Sequence, residues 1–204
     1  MQTIATDRPL NISKMTGKLD GFHALNTNTV TNPFCIKMKE TDTICGQCYS
    51  HRMLNTFRKG CQPAWQHNSE MLSGELLYPR EIPFINSAYF RLHGHGELIN
   101  KTHYINLLII AEQNPNTTFA LWTKRKDIVS QVHKSGISKP SNIILVYSNP
   151  VIDKVLNNAP AMFDKVFNNV SIPHDLENCT GQKCRDCLKC YNHGGTDVII
   201  ERVK

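Results

Sequence analysis

AYFRLHGHGELINKTHYINLLIIAEQNPNTTFALWTKRKDIVSQVHKSGISKPSNIILVY, residues 88–147, decides the fold. Ala88 to Leu92 is a short aromatic and apolar run that ends at Gly94, a strand signature. From Thr102 to Gln113, apolar residues fall at Ile105, Leu108, Ile109 and Ala111, the spacing of an amphipathic helix. Asn114-Pro115-Asn116 stops that helix. Thr117 to Thr123 reads as a second strand, and the charged stretch Lys124 to Lys134 as a second helix closed by Ser135-Gly136. Asn142 to Tyr147 is a continuous apolar run, as in a strand buried on both faces. Strand, helix, strand, helix, strand is the order of a parallel sheet with crossover helices.

Working outward, Phe22 to Val30 reads as a first strand, Asp153 to Asn157 as a short helix, and Lys165 to Ile172 and Val198 to Val203 as further strands. The expected fold class is α/β, either a partial (β/α) barrel or a parallel sheet with crossover helices. Two Cys-rich loop segments, 35–61 and 179–190, flank it. No linker rich in Gly, Ser or Pro separates them from the core, so residues 1–204 are expected to form a single α/β domain. At 40% hydrophobic and 20% charged residues the chain has an ordinary globular composition. Met1 to Asp20 lacks the apolar core of a signal peptide, and Leu107 to Ala111 is far too short to span a bilayer. A soluble, cytoplasmic protein is expected, with no membrane partner. The net charge of +6 is a mild excess; Lys124, Arg125 and Lys126 form the densest basic run and Arg58 and Lys59 a smaller one, without a nucleic-acid recognition motif.

Eight cysteines without an export signal argue for metal rather than disulfides. Cys179, Cys184, Cys187 and Cys190 form C-x4-C-x2-C-x2-C. Two-residue spacers let a chain wrap a point so that successive sulfurs face inward. Thiolate is a soft ligand, and four of them suit an iron–sulfur cluster or zinc. Zinc ribbons pair two C-x2-C knuckles across a long gap, whereas three equally spaced cysteines are typical of cubane binding. Cys179 is the fourth ligand, or a more distant cysteine is. Lys183, Arg185 and Lys189 interleave the quartet and either offset thiolate charge or sit in solvent.

Cys35, Cys45 and Cys48, the last followed by Tyr49, form a second group, and Cys61 lies further on. Cys35 follows Asn32-Pro33-Phe34 at the expected exit of the first strand, the edge where parallel sheets bind ligands. Ligation and ordinary burial both fit these cysteines, Cys61 above all. In His93-Gly94-His95-Gly96-Glu97, an extended chain would place both histidines on one side, and the glycines would let a ligand approach the backbone.

Taken in order, these residues resemble a known family. Leu25-Asn26-Thr27, Asn32-Pro33-Phe34-Cys35, Cys45-Gly46-Gln47-Cys48-Tyr49, Arg91 to Glu97, Phe119 to Lys124 and the cysteine-rich tail together look like iron–sulfur proteins related to the radical S-adenosylmethionine (SAM) enzymes, and most like the phage gene 88 protein group. The resemblance implies a 4Fe–4S cluster on Cys35, Cys45 and Cys48, with SAM on its open iron and the SAM amino group at Gly96 and Glu97. The C-x3-C-x2-C spacing of the radical-SAM enzymes is absent, the first cysteine gap here being nine residues, and His95 stands where their amino-binding Gly-Gly-Glu turn has its first glycine. If the tail folds back to supply a ligand, the centre is closed and redox or structural.

Three functions follow as expectations. The first is a 4Fe–4S protein of radical-SAM-like fold, with one or two clusters, a redox or enzymatic role and a redox partner. The second is a zinc-stabilised nucleic-acid-binding protein using Tyr49, Trp65 or Trp122, although the two tryptophans read as core. The third uses the cluster only as a structural staple. No Ser-His-Asp arrangement, phosphate-binding Gly-rich loop or H-E-x-x-H helix is visible in the sequence.

Overall fold

The computed structural model describes residues 9–203. The first eight residues of the Met1–Asp20 stretch lie outside the described residues. Seven strands form one sheet: β1 (Ile12–Lys14), β2 (His23–Leu25), β3 (Tyr89–Leu92), β4 (Thr118–Thr123), β5 (Ile143–Ser148), β6 (Lys165–Val170) and β7 (Val198–Arg202). Their spatial order is their sequence order, with β1 antiparallel to β2 and every later pairing parallel. Helices α1 (Pro33–Lys39), α2 (Tyr49–Leu54) and α3 (Gln62–Gly74) lie between β2 and β3. Helices α4 (Lys101–Glu112) and α5 (Lys126–Lys134) fill the next two crossovers, and α6 (Cys184–Cys187) lies between β6 and β7.

Alternation along the strands sorts their side chains onto two faces. Leu25, Phe90, Leu92, Phe119, Leu121, Ile143 and Leu145 meet Leu72 of α3, Leu107 and Ile110 of α4, and Ile128 and Val132 of α5 in the main core. Burying each such side chain contributes about 1.5–3 kcal/mol. The opposite face presents Ala24, Ala120, Ile144, Val146, Phe167 and Ile199. Among the described residues no long helix covers it; Met15, Phe22, Tyr191 and the cysteine-bearing tail pack there instead.

The sheet is open and does not close into a barrel, because β1 and β7 remain its unpaired edges. Six parallel strands fall short of the roughly eight that close a barrel filled by side chains. The strand and helix assignments from residue 88 to 147 hold to within two residues. The helix expected at Asp153 to Asn157 is absent. Asn149 donates to the Lys154 carbonyl (2.6 Å), Asn168 accepts from the Leu156 amide (3.0 Å), and Asp153 accepts from the Ser171 amide (2.7 Å). Such side-chain bonds to the backbone displace helical ones.

The expected first strand is also shorter, pairing only over His23–Leu25. Asn26 to Thr29 form a buried polar loop that Asn68 and Ser69 of α3 satisfy: the Asn68 amide donates to the Asn26 carbonyl (2.8 Å), and the Asn28 amide to Ser69 Oγ (2.9 Å). Asn32 then caps α1, accepting from the Phe34 amide at 3.0 Å, with Pro33 in the first turn. Cys35 therefore sits in a helix rather than at a strand exit.

Candidate functional site

The turn that carries Cys45 and Cys48 is set by its own backbone. Thr43 accepts from the Cys45 amide (3.3 Å), the Cys48 amide donates to the Cys45 carbonyl (3.1 Å), and a Cβ at Gly46 would stand 2.7 Å from the Thr41 carbonyl oxygen. The Ile44 amide donates to the Pro150 carbonyl (3.0 Å), and the Tyr49 hydroxyl to the Gly94 carbonyl (2.8 Å). These bonds hold the turn beyond the carboxyl ends of β3 and β5. There Cys35, Cys45 and Cys48 share an electrostatic neighbourhood with Glu97 and Lys124. Burial, followed by the Glu97 charge, drives the Cys35 thiol far above its ordinary range, and burial raises Cys45 as well. Burial opposes charge on Lys124, yet Cys45 and Glu97 outweigh it and raise its pKa. Its Nζ donates to Ser148 at 3.0 Å.

Gly96 and Glu97 have clear structural work. Gly96 has a φ of +125°, and a Cβ there would lie 2.1 Å from Thr27 Oγ1. The Thr27 amide donates to the His95 carbonyl (3.0 Å), so two backbones meet at this point. Glu97 is 4% exposed; its carboxylate accepts from the Leu98 amide (2.8 Å), the Lys124 amide (2.8 Å) and the Thr123 hydroxyl. Burial pushes its pKa up against Lys124 and these donors.

His93 and His95 do not face one side, correcting the extended reading. His93 has a φ of +61°, which breaks the pleat. Its ring meets His103 of α4 at 3.2 Å, whereas the His95 ring stacks on Trp65 and reaches Ser50 at 3.0 Å. Burial lowers both, His93 to about 3 and His95 to about 4.

The quartet lies elsewhere, over the sheet face that lacks long helices. The Cys179 amide donates to the Ile200 carbonyl of β7 (3.1 Å). Cys184 and Cys187 are the two ends of the single turn α6, and Leu188, at φ +51°, turns the chain so that Cys190 packs against the sheet. All four cysteines line one half-open hollow, together with Gln182 and Tyr191. Gln182 donates toward Cys187 Sγ (3.6 Å), and Lys18 toward Cys179 Sγ (3.8 Å). Burial raises Cys179, Cys184 and Cys190, the last to about 12. All eight cysteines are free thiols. Among the described residues, no three His, Cys, Asp or Glu side chains are drawn close enough to coordinate an ion. Cys61 stands at the end of the 3-10 turn Lys59–Cys61, where α3 begins.

The interleaved basic residues turn away from the thiols. Lys183 donates to the Gly17 carbonyl (3.1 Å), Lys189 to the Asn178 carbonyl (2.9 Å), and Arg185 lies 3.6 Å from Asp186. The cations that act on the quartet are Lys18 and Arg91, which local sequence did not reveal. Nor is the basic run 124–126 a free patch, since Lys124 is engaged and Arg125 pairs with Asp127 at 2.8 Å. Trp65 is 2% exposed, a core residue as expected, while Trp122 is half-buried under Arg91.

The family model described as Gene product 88 matches residues 13–173, most of the chain. The chain belongs to the Gene product 88 family. Within the Gene product 88 match lie Cys35, Cys45, Cys48, Cys61 and the 93–97 segment; the quartet lies beyond it. The family description names no activity and no cofactor. No curated protein and no solved structure matches the chain. No helix among the described residues is long and apolar enough to cross a membrane.

Proposed function

We propose that this Gene product 88 protein is a cysteine-ligated metalloprotein whose cargo is a 4Fe–4S cluster, acting in redox chemistry or as an enzyme in the cytoplasm. The observation that carries the reading is the quartet: four free thiols, from three separate chain positions around α6, line one hollow on a sheet face that no long helix covers. The donor set is soft and all-sulfur, which suits iron–sulfur clusters and zinc. Trp122 Nε1 is buried without a hydrogen-bond partner in the same layer, and the Tyr191 hydroxyl, within reach of the Arg91 guanidinium only, has no acceptor for its own proton. Cys179, Cys184, Cys187 and Cys190 would hold the group, each thiol giving up its proton on ligation. A bound cubane supplies one-electron redox capacity.

Cys35, Cys45 and Cys48 would hold a second group at the strand ends, beside Lys124. Amino-group binding by Glu97 competes with the three donors already on its carboxylate, so the proposal does not rest on SAM. The test is iron, acid-labile sulfide and zinc per chain after purification without oxygen, with an absorption spectrum. Iron and sulfide in equal amounts, with the broad visible absorption of a cluster, support the reading. Zinc alone redirects it to a structural zinc protein, for which salt-dependent binding of DNA or RNA is the next assay.

A further inference from the structure

Arg91 occupies the middle of β3 and, by alternation with Phe90 and Leu92, faces the side of the sheet that the quartet covers. It is 7% exposed. No carboxylate lies within ion-pair distance of it among the described residues; Lys18, the other cation near the quartet, is taken by Glu201. The guanidinium stacks 4.0 Å over the Trp122 ring, and its Nε donates a long bond to the His93 carbonyl (3.4 Å). Arginine stays protonated in proteins, so this is a permanent buried cation. An unpaired buried charge is costly, and it persists where an opposite charge is to be met.

Trp122, under the guanidinium, packs against the same apolar cluster as Cys179 and Cys190, and the guanidinium also lies within hydrogen-bond reach of the Tyr191 hydroxyl oxygen. Trp122 Nε1 is a buried donor without a partner, and Tyr191 Oη can only accept from Arg91, which leaves its own hydroxyl proton without an acceptor. Four thiolates around a cubane, or around one zinc ion, form a net dianion in either case. The protein thus holds, beside four free thiols, a buried cation with no carboxylate partner and two donor protons without acceptors.

We propose that Arg91 is the counter-charge of the quartet's metal centre, a positioning residue that stabilises the deprotonated, metal-loaded tetrad and tunes it electrostatically. The inference rests on the metalloprotein reading and adds a residue that the cysteine pattern does not contain. A cation beside a cluster favours its reduced, more negative state, so removing that cation lowers the reduction potential. The arginine-to-lysine change keeps the charge; arginine-to-glutamine removes it.

The experiment loads the full chain anaerobically in a Cys45→Ser/Cys48→Ser background, which leaves the quartet as the complete thiolate set. The midpoint potential is then compared for Arg91, Arg91→Lys and Arg91→Gln. The expected result is a negative shift in Arg91→Gln equivalent to about tenfold in the redox equilibrium, about 59 mV for one electron, and most of the potential retained in Arg91→Lys. If zinc is the cargo, Arg91→Gln is expected to release it at about tenfold lower chelator, again with Arg91→Lys near the parent. An unchanged potential or chelator midpoint in Arg91→Gln overturns the proposal. Should that variant not fold, the Arg91 Nε–H resonance decides in the parent protein: it moves on metal loading if Arg91 faces the centre, and its constancy overturns the proposal. A quartet that takes up no metal at all sinks the functional reading itself, whereas a loaded quartet indifferent to Arg91 sinks only this inference.

Discussion

Substituting Gly96 by alanine separates a structural glycine from a ligand-contacting one. The new Cβ would stand 2.1 Å from Thr27 Oγ1 and 3.0 Å from the Thr27 amide nitrogen. The backbone at φ +125° adds strain that a side-chain-bearing residue bears poorly. Sparsely populated backbone conformations cost about 1–3 kcal/mol, and overpacking a tight site costs about 1–3 kcal/mol. Gly96→Ala should therefore destabilise the fold by about 3–5 kcal/mol, a large share of a typical domain's stability. Thr27 Oγ1 is buried without a hydrogen-bond partner, so Thr27→Ala removes the clashing atom at small cost. In the double variant about 1–2 kcal/mol should return, while the strain at φ remains. Urea unfolding of the four proteins in the cycle measures this coupling directly. A Gly96→Ala protein within about 0.5 kcal/mol of the parent, or a cycle with no coupling, refutes the reasoning.

Acid should weaken the fold through His93 and His95. Their folded pKa values, about 3 and about 4, lie below the unfolded value, so both are neutral in the native state and bind protons more readily when unfolded. Their contribution is fully present above about pH 6.5 and is lost as pH falls toward the folded values, about 2 kcal/mol for each by pH 5. Glu97, with its raised pKa, acts in the opposite sense, so the His95→Asn protein is the control: its stability should change less between pH 7 and 5 than the parent's. Asn32→Ala removes the α1 cap and the bond from its amide to the Glu97 carbonyl (3.0 Å), and should cost about 1–3 kcal/mol in thermal or chemical unfolding. Cys184→Ser and Cys187→Ser should each lower bound metal per chain by elemental analysis, while Cys61→Ser should leave it unchanged.

The sequence carried the second half of the sheet openly. β4 and β5 carry continuous apolar runs and Asn114-Pro115 marks the stop of α4, but α4 is not the one-striped helix expected: Tyr104, Leu107, Leu108, Ile110 and Ala111 are buried while Ile105 and Ile109 are half-buried, because the helix is apolar nearly all round. The region before β3 was less legible because it buries polar residues. Asn26, Thr27, Asn28, Thr29, Asn32 and Asn68 are nearly inaccessible, and hydrogen bonds to Ser69, Ser50, Glu97 and between Asn68 and Asn26 offset the burial of all but the Thr27 hydroxyl. No periodicity announces such a loop, and the run Phe22 to Val30 passes for a longer strand. At the candidate site, spacing picked out both cysteine groups as candidates and left Lys183, Arg185 and Lys189 either beside the thiols or in solvent; Lys183 and Lys189 are bonded to backbone carbonyls and Arg185 lies beside Asp186. The cation on the quartet's side of the sheet that no carboxylate pairs comes from β3, at Arg91, 88 residues before Cys179. Its one local sign was a charged residue between Phe90 and Leu92 in an apolar strand.

The central claim is that the tail's thiols bind metal, and native mass spectrometry of the chain purified without oxygen tests it most directly. The account predicts a mass above that of the polypeptide by one or more iron–sulfur cores, lost from the Cys184→Ser/Cys187→Ser protein or reduced to what Cys35, Cys45 and Cys48 hold. A parent chain at its bare polypeptide mass, folded and with all eight thiols free to alkylation, contradicts it.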